Sequence, residues 1–303
     1  MSELFHAGSS AQKGIASDAW TRISARAQEA QRLLQVDGDK VDNKPTQLFL
    51  PGLNEFMRAM PNHIARSSLF APVARGRKAI HKNSLLVSRG GVTIKFWGEQ
   101  LDEAQADVWM QAMHEATKQP LGEPIAINRA GFLRAIGRKT GNYEYKWLHS
   151  TMQILSFAML VIDVYTTDGE TKLSIGKSHA LHMIDGFEYD ERAETYTIRI
   201  DPRWRAMYGN REFSLIDWEK RLRFGQRQDM AKALQRLVAT TNNKQQKYQI
   251  RWLKGKLGYN SPDHKFRRAL TAAMRELERL EIIADGQIGH NKNGDQQALW
   301  IKL

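Results

Sequence analysis

The spacing of apolar residues changes several times along the chain, and each change marks an element. Between residues 10 and 36, Ile15, Trp20, Ile23, Leu33 and Leu34 recur among alternating charges, which predicts one amphipathic helix. The polar run DGDKVDNKPT, with its Asp-Gly and Pro, reads as a linker, and a folded domain is expected from about Gln47. Two alternating runs then flank Arg89-Gly90-Gly91, a hairpin signal. The spacing of Ala104, Val108, Met110 and Met113 predicts a helix from Asp102 to Lys118. EPIAINR is a short strand, and Asn128 is placed to cap a helix over RAGFLRAIG. A further helix runs from about Tyr143 to Phe157. LVIDVY and KLSIGKSHALHMI, joined by Thr167-Asp168-Gly169, form a hairpin, and ETYTIRI follows. Helix, strand, helix, turn, helix, hairpin is the order of a winged helix.

The same order recurs. SLIDW is strand-like, and Gln226 to Thr240 is a helix with Met230, Leu234 and Leu237 on one face. YQI is a short strand, RWLKGKLG a brief helix ended by Gly258, and SPDHKFRRALTAAMRELERL a long helix. EIIADGQIGHNKNGDQQALWIKL is a hairpin with a long polar tip. The expected fold class is α+β. Two tandem winged-helix domains, 47–204 and 205–303, follow an N-terminal helical extension and linker, 1–46.

The long helix of the second copy carries the candidate chemistry. Ser261 is the expected N-cap, with Pro262 in the first turn. Phe266, Leu270, Ala273 and Leu277 form a narrow stripe at about 100° per residue. The opposite side presents His264, Arg268, Thr271 and Arg275, flanked by Lys265 and Arg267, and stays cationic until Glu278. A recognition helix offers such an N-terminal half to the DNA major groove. There, a two-point contact from arginine to guanine is worth about 1–3 kcal/mol of discrimination. The alternative is a solvated face with no ligand. The tip of the last hairpin, Gly289 to Gly294, offers His290, Asn291, Lys292 and Asn293 to phosphates or the minor groove, or is a plain flexible turn.

The equivalent helix of the first copy differs. Leu148, Met152, Leu155 and Met159 make its stripe, and Asn142, Lys146, Ser150 and Gln153 face outward, of which only Lys146 is charged. Arg75, Arg77, Lys78 and Lys82, ahead of the first hairpin, are candidate phosphate contacts. Each phosphate neutralised adds about 0.9 to the salt slope of binding. The second domain is therefore expected to specify sequence, and the first to add affinity or a protein interface.

Charge sharpens this picture. The 303-residue chain has a formal net charge of +12. Residues 1–46 hold six basic and six acidic side chains, residues 47–203 hold 19 and 17, and residues 204–303 hold 20 and 10. An excess focused in the last third is the electrostatic footprint of a polyanion binder. There is no cysteine, which removes disulfides, thiolate metal sites and thiol nucleophiles and fits a reducing cytoplasm. No apolar run reaches the roughly 18 residues of a membrane span, and MSELFHAGSSAQKG lacks the features of a secretion signal. No GxxxxGK[ST] or HExxH occurs, nor a carboxylate cluster suited to two-metal chemistry. His179 and His182 form HxxH without a third ligand, and Tyr143 and Tyr145 have no accompanying histidine metal motif. A double-stranded DNA binder is expected, not an enzyme, with no cofactor, no metal and no membrane partner.

FMRAMPNHIARSSLF (Phe56 to Phe70), PLGEPIAINRAGFLRAIG (Pro120 to Gly137) and the hairpin between them resemble the TrfA-type plasmid replication initiators. The resemblance runs from about Gln47 to the C-terminus and is strongest over Phe56 to Gly137. It implies two winged-helix domains, binding to direct repeats (iterons) at a plasmid origin, opening of AT-rich DNA and recruitment of host replication proteins such as the helicase and the host initiator. It also implies a bacterial cytoplasm and a monomer–dimer equilibrium, with monomers active at the origin and dimers or coupled complexes restraining copy number.

Such proteins carry a QLSLF-like peptide that docks on the bacterial sliding clamp. The matching positions here are Gln47, Leu48, Phe49, Leu50 and Pro51, with Phe49 in place of a small polar residue and Pro51 in place of the final aromatic. Two readings stay open: a clamp-docking peptide, favoured by the polar linker upstream, or an apolar segment packed on the first domain. The helix over 10–36 lies outside this resemblance, and a helicase or loader contact, a dimer contact or a loose appendage all fit it. The rival function is a winged-helix transcriptional repressor without a replication role, which a single such domain with a ligand or dimer module would suit.

Overall fold

Two apolar cores organise the chain, one gathering side chains from Ala59 to Trp218 and the other from Phe224 to Trp300. The computed structural model describes residues 55–73, 78–120, 122–208 and 212–303. The helix expected over 10–36, the peptide Gln47 to Leu50, and Arg75 and Arg77 lie outside the described residues. The fold is mixed α/β.

The first core is built on β1 (Met57–Pro61), α1 (Asn62–Ala65), β2 (Ile80–Leu85), β3 (Val92–Glu99), α2 (Glu103–Ala116), β4 (Ile125–Asn128), α3 (Arg129–Ala135) and α4 (Asn142–Phe157). β5 (Met159–Tyr165), β6 (Thr171–Ile175), β7 (Leu181–His182), β8 (Gly186–Asp190) and β9 (Thr195–Arg199) follow. A 3₁₀ turn (Pro202–Trp204), α5 (Arg205–Tyr208) and β10 (Phe213–Asp217) lead to α6 (Trp218–Leu222). The second core is built on α7 (Asp229–Ala239), β11 (Gln245–Gln249), α8 (Ile250–Lys256), α9 (Asp263–Arg279), β12 (Ile283–His290) and β13 (Gln296–Lys302).

Local chemistry sets the boundaries. Asp102 and Gln105 form a reciprocal capping box at the start of α2, both bonds 2.9 Å long. Asn128 caps α3 by accepting from the Gly131 N–H at 2.9 Å. The turn before β3 needs glycine. Gly90 and Gly91 have φ of 78° and 68°, and a Cβ on Gly91 would sit 3.1 Å from the Tyr165 carbonyl oxygen.

One connectivity occurs twice. In the second half, β11 pairs with the returning strand of the β12–β13 hairpin, giving the order β11-β13-β12. In the first half, β4 pairs with the returning strand of β8–β9, giving β4-β9-β8. The hairpin that completes the first half is therefore β8–β9. The pair β5–β6, which the sequence suggested for this place, joins β2 and β3 in a separate sheet, with β7 on β5. β8 escaped notice because GFEYD offers only two apolar beats among acidic residues. Met207, Tyr208 and Ile216 pack in the first core, and β10 pairs antiparallel with β1, Met57 opposite Asp217 and Pro61 opposite Phe213.

The halves are joined through buried charge. Glu103 and Asp107, one turn apart on α2, meet cations from α6 and α7. Arg221 donates Nη2 to Glu103 at 2.9 Å and Nε to Asp107 at 2.7 Å. Lys232 Nζ lies 2.7 Å from Asp107, and Arg236 makes a bidentate pair with Glu103. The Glu103, Arg221 and Arg236 side chains are fully buried. Burial alone would raise the Asp107 carboxyl, but Arg221 and Lys232 hold it below the usual carboxylate range. Lys256 of α8 is buried as well and donates to the Ser67 carbonyl at 3.2 Å.

Two expectations follow from these groups. Glu103→Gln leaves two guanidinium groups buried without their shared charge, so unfolding in urea is expected to show a loss of about 3–5 kcal/mol. Burial, with Arg236 adding to it and Glu103 opposing, pushes Lys256 down to about 7. The unfolded lysine binds its proton up to its ordinary value near 10.4. Between the two, the unfolded chain holds more protons than the folded one, so this lysine makes stability rise with pH by up to about 1.4 kcal/mol per unit. Denaturation at pH 7, 8 and 9 should show that slope in the wild type, and Lys256→Met should be flatter and more stable at pH 7.

Candidate nucleic-acid interface

α9 buries Phe266, Leu270, Ala273, Met274 and Leu277 against the second core, which is the stripe its spacing predicts. It starts at Asp263 after Pro262, and no side chain caps it. Ser261, expected as the N-cap, sits outside the helix. Asp263 in the first turn supplies the negative charge that the helix start favours.

The acids of α9 are occupied. Asp263 pairs with Lys254 of α8, and Glu276 with Arg279, one Nη2–Oε1 distance being 2.6 Å. Glu278 accepts from the Gly286 N–H at 2.7 Å, where β12 bulges between Ala284 and Gln287. His264, Lys265, Arg268 and Arg275 are exposed and form no ion pair among the described residues. Thr271 is half-buried. Arg267 is half-buried too, and its Nη1 donates to Gln296 Oε1 at 3.1 Å, bracing the helix on β13. The cationic face is therefore not cancelled by its own helix.

At the β12–β13 tip, Lys292 and Asn293 are exposed. Asn291 is spent on the turn. Its Oδ1 accepts from the Asn293 and Asp295 N–H groups at 2.9 and 2.8 Å, and its Nδ2 donates to Asp295 at 3.1 Å. Arg251 of α8 is a further exposed cation. The sequence pattern did not single it out because α8 is only seven residues long and gives no clear face.

In the first half, α4 buries Leu148, Thr151, Met152 and Leu155 and exposes Asn142, Lys146, Ser150 and Gln153. Met159, placed on its stripe by spacing, belongs instead to β5, because the helix ends at Phe157. The β8–β9 tip carries Asp190, Glu191, Arg192 and Glu194, all exposed. Lys78, expected to meet phosphate, is instead held 2.8 Å from Asp102 and 3.3 Å from Glu99, because the start of α2 draws a cation to its capping carboxylate. His182 Nδ1 lies 2.6 Å from the Ser156 carbonyl oxygen. Among the described residues, no group of three His, Asp or Glu side chains is arranged to hold a metal, and no helix is long and apolar enough to cross a membrane.

The charge excess of the last third also reads differently in three dimensions. Arg221, Arg236 and Lys256 are interior, and the first two are neutralised by acids of α2. The unpaired cations of α9 and the β12–β13 tip, and not the total, define the candidate surface.

The resemblance to TrfA-type plasmid replication initiators is borne out by comparison with known proteins. The family described as TrfA protein matches residues 13–147. The match starts upstream of Gln47, where the resemblance was expected to begin, takes in most of the segment 10–36, and ends at 147, short of the C-terminus to which the resemblance was expected to run. The plasmid replication initiator protein TrfA of Escherichia coli is 25% identical over 206 residues, covering 65% of this chain and 52% of that protein. The chain thus spans about half the length of this curated relative. Among solved structures, RctB domains 2-3 (RctB-155-483) align with a TM-score of 0.49 and 11% identity over 79% of this chain and 96% of that one. A selenomethionine derivative of the same two domains aligns at 0.45 and 10%, over 77% and 94%.

Proposed function

We propose that this chain is a DNA-binding replication initiator in which both halves are winged helices and α9 is the helix that enters the major groove. The observation that carries the reading is the α9 face, on which Arg268 and Arg275 stay exposed while Asp263, Glu276 and Glu278 are engaged elsewhere. Free guanidinium groups on one helix face are what a two-point contact to guanine requires. Lys292 and Asn293 reach the backbone beside it. The first half, with Lys146 alone on its equivalent face and acids at its hairpin tip, adds affinity or a protein contact. The ligand is a set of direct repeats at a plasmid origin, bound by monomers, followed by opening of AT-rich DNA and recruitment of the host helicase and initiator. The family match and the relative's name support the initiator role in this reading.

Footprint titration on direct repeats of about 20 base pairs, two turns of duplex, tests it. Arg268→Ala and Arg275→Ala should each lose about 1–3 kcal/mol of discrimination, roughly 5- to 150-fold. Lys292→Ala should weaken all duplexes evenly and lower the salt slope by about 0.9. Identical protection by wild type and both arginine variants would overturn the assignment of α9.

Gln47, Leu48, Phe49 and Leu50 are proposed to dock on the sliding clamp as an extended peptide. They lie within the matched stretch and shortly before Phe56, whose carbonyl accepts from the Trp218 N–H at 2.8 Å. Leu48→Ala with Leu50→Ala should abolish retention on immobilised clamp and leave repeat binding intact. Failure of the wild type to be retained would remove this part of the reading.

A further inference from the structure

Where the β2–β3 turn of the first half meets β11 of the second, there is a cleft of about 290 Å³. Its wall includes Arg66, Arg89, Asn243, Gln245, Lys247 and Tyr248, and none of its lining residues is acidic. Gly90, with φ of 78°, lets the turn close over it. Trp252 Nε1 donates to the Ser88 carbonyl at 3.3 Å and seats the turn on α8.

The cations of this cleft lack the partners usual for structural arginines. The Arg89 guanidinium carbon lies 5.1 Å from the Tyr248 ring centre and 5.6 Å from that of Trp252. Stacking of this kind orients a guanidinium without consuming its N–H donors. Arg66 gives Nη2 to the Thr240 carbonyl, a bond that leaves its charge uncompensated. Neither arginine, nor Lys247, forms an ion pair among the described residues. Glu212, the one carboxylate among the described residues that acts on Arg66, beside the Tyr248 phenol, is already held by His63 and Lys172. Burial holds the Arg66 guanidinium below its ordinary value, and the Arg89 charge adds in the same direction. An anion between the two would relieve that repulsion.

We propose that this cleft binds a phosphoryl group, with Arg89 and Lys247 supplying charge and Arg66, Gln245 and Asn243 supplying hydrogen-bond donors. Arginine forks match phosphate oxygens geometrically. The volume is at the lower end of the range for ligand pockets, on the order of 300 Å³, which suits a phosphoryl group with a sugar or a second phosphate attached. The source is either the backbone of a nucleic acid or a free phosphorylated small molecule. In either case the occupant touches both halves and holds them together. The inference rests on the cleft alone and does not require α9 to read DNA.

The test has two arms, run on the full chain with wild type, Arg89→Gln, Lys247→Gln and Arg268→Ala. In the first, thermal unfolding is followed in sodium pyrophosphate against sodium chloride of equal ionic strength. A rise in Tm for wild type and Arg268→Ala that is lost in the two cleft variants assigns the site to a free phosphoryl ligand. In the second, duplex binding is titrated against salt. No Tm response to pyrophosphate, with a salt slope lower by about one in Lys247→Gln, assigns the site to a nucleic-acid phosphate. Absence of both effects overturns the proposal. Lys247 is exposed on β11, so its variant keeps the test decisive if Arg89→Gln fails to fold. A pyrophosphate response without any duplex binding would leave the cleft standing and remove the DNA reading of α9.

Discussion

The arrangement of this protein depends on two carboxylates placed where carboxylates are seldom found. α2 is buried along nearly its whole circumference, yet it carries Glu103 and Asp107 toward α6 and α7. Desolvating those acids is tolerable only because Arg221, Arg236 and Lys232 arrive with matching geometry. Such a network adds little net stability compared with well-packed apolar residues. It does restrict the ways the halves can meet, because an apolar contact tolerates sliding and a bidentate pair does not. Within the first half, Arg58 of β1 ties α2 to α6, donating to Gln111 at 2.9 Å and lying 4.8 Å from the Trp218 ring. The position of α7, and of α9 packed against it in the second core, follows from this set of bonds.

On that frame, one connectivity presents two unlike surfaces. α4 and α9 both hide an apolar stripe, and β8–β9 and β12–β13 both pair their returning strand with a lone strand. Their exteriors diverge. α9 and its hairpin show arginines, lysines and asparagines, whereas α4 shows one lysine and its hairpin tip shows Arg192 with three acids, of which Glu194 is paired with Arg129. A polyanion is attracted to the first surface and repelled at the second tip. The asymmetry gives a physical reason for repeating one arrangement without duplicating one job.

What could be read from the sequence was whatever is encoded locally. The period of Phe266, Leu270, Ala273 and Leu277 marked the buried face of α9 because helical geometry alone decides it. Asp102 and Asn128 marked helix starts because a cap acts on the next three residues. The N-terminus of α9 was misread by one position, since a Ser-Pro pair offers two candidate boundaries and the chain enters through the proline. β8 was missed, and with it the true partner of β4, because five residues with two apolar beats carry no signal apart from the strand they pair with. The acid–base junction was out of reach for a different reason. Glu103 and Arg221 are more than a hundred positions apart, and a charged side chain taken singly reads as solvated. A weak clue existed: Glu103 and Asp107 sit at i and i+4 on a helix with no polar face of its own.

The same distinction limits what net charge can say about binding. A positive excess steers a polyanion over about a Debye length, roughly 8 Å at physiological salt, and does so whether or not any cation is free to make contact. Recognition needs donors that the fold has left unsatisfied. Here the two populations are told apart by their partners. Arg221, Arg236 and Lys256 serve the interior, Lys78 and Lys254 are taken by Asp102 and Asp263, and Arg279 by Glu276. Among the cations left without an acid are those of the α9 face, the β12–β13 tip and the cleft of Arg66, Arg89 and Lys247. Those residues were indistinguishable from the rest by composition. They are distinguished by the acids their neighbours have already claimed, which is a property of the folded arrangement and not of any segment within it.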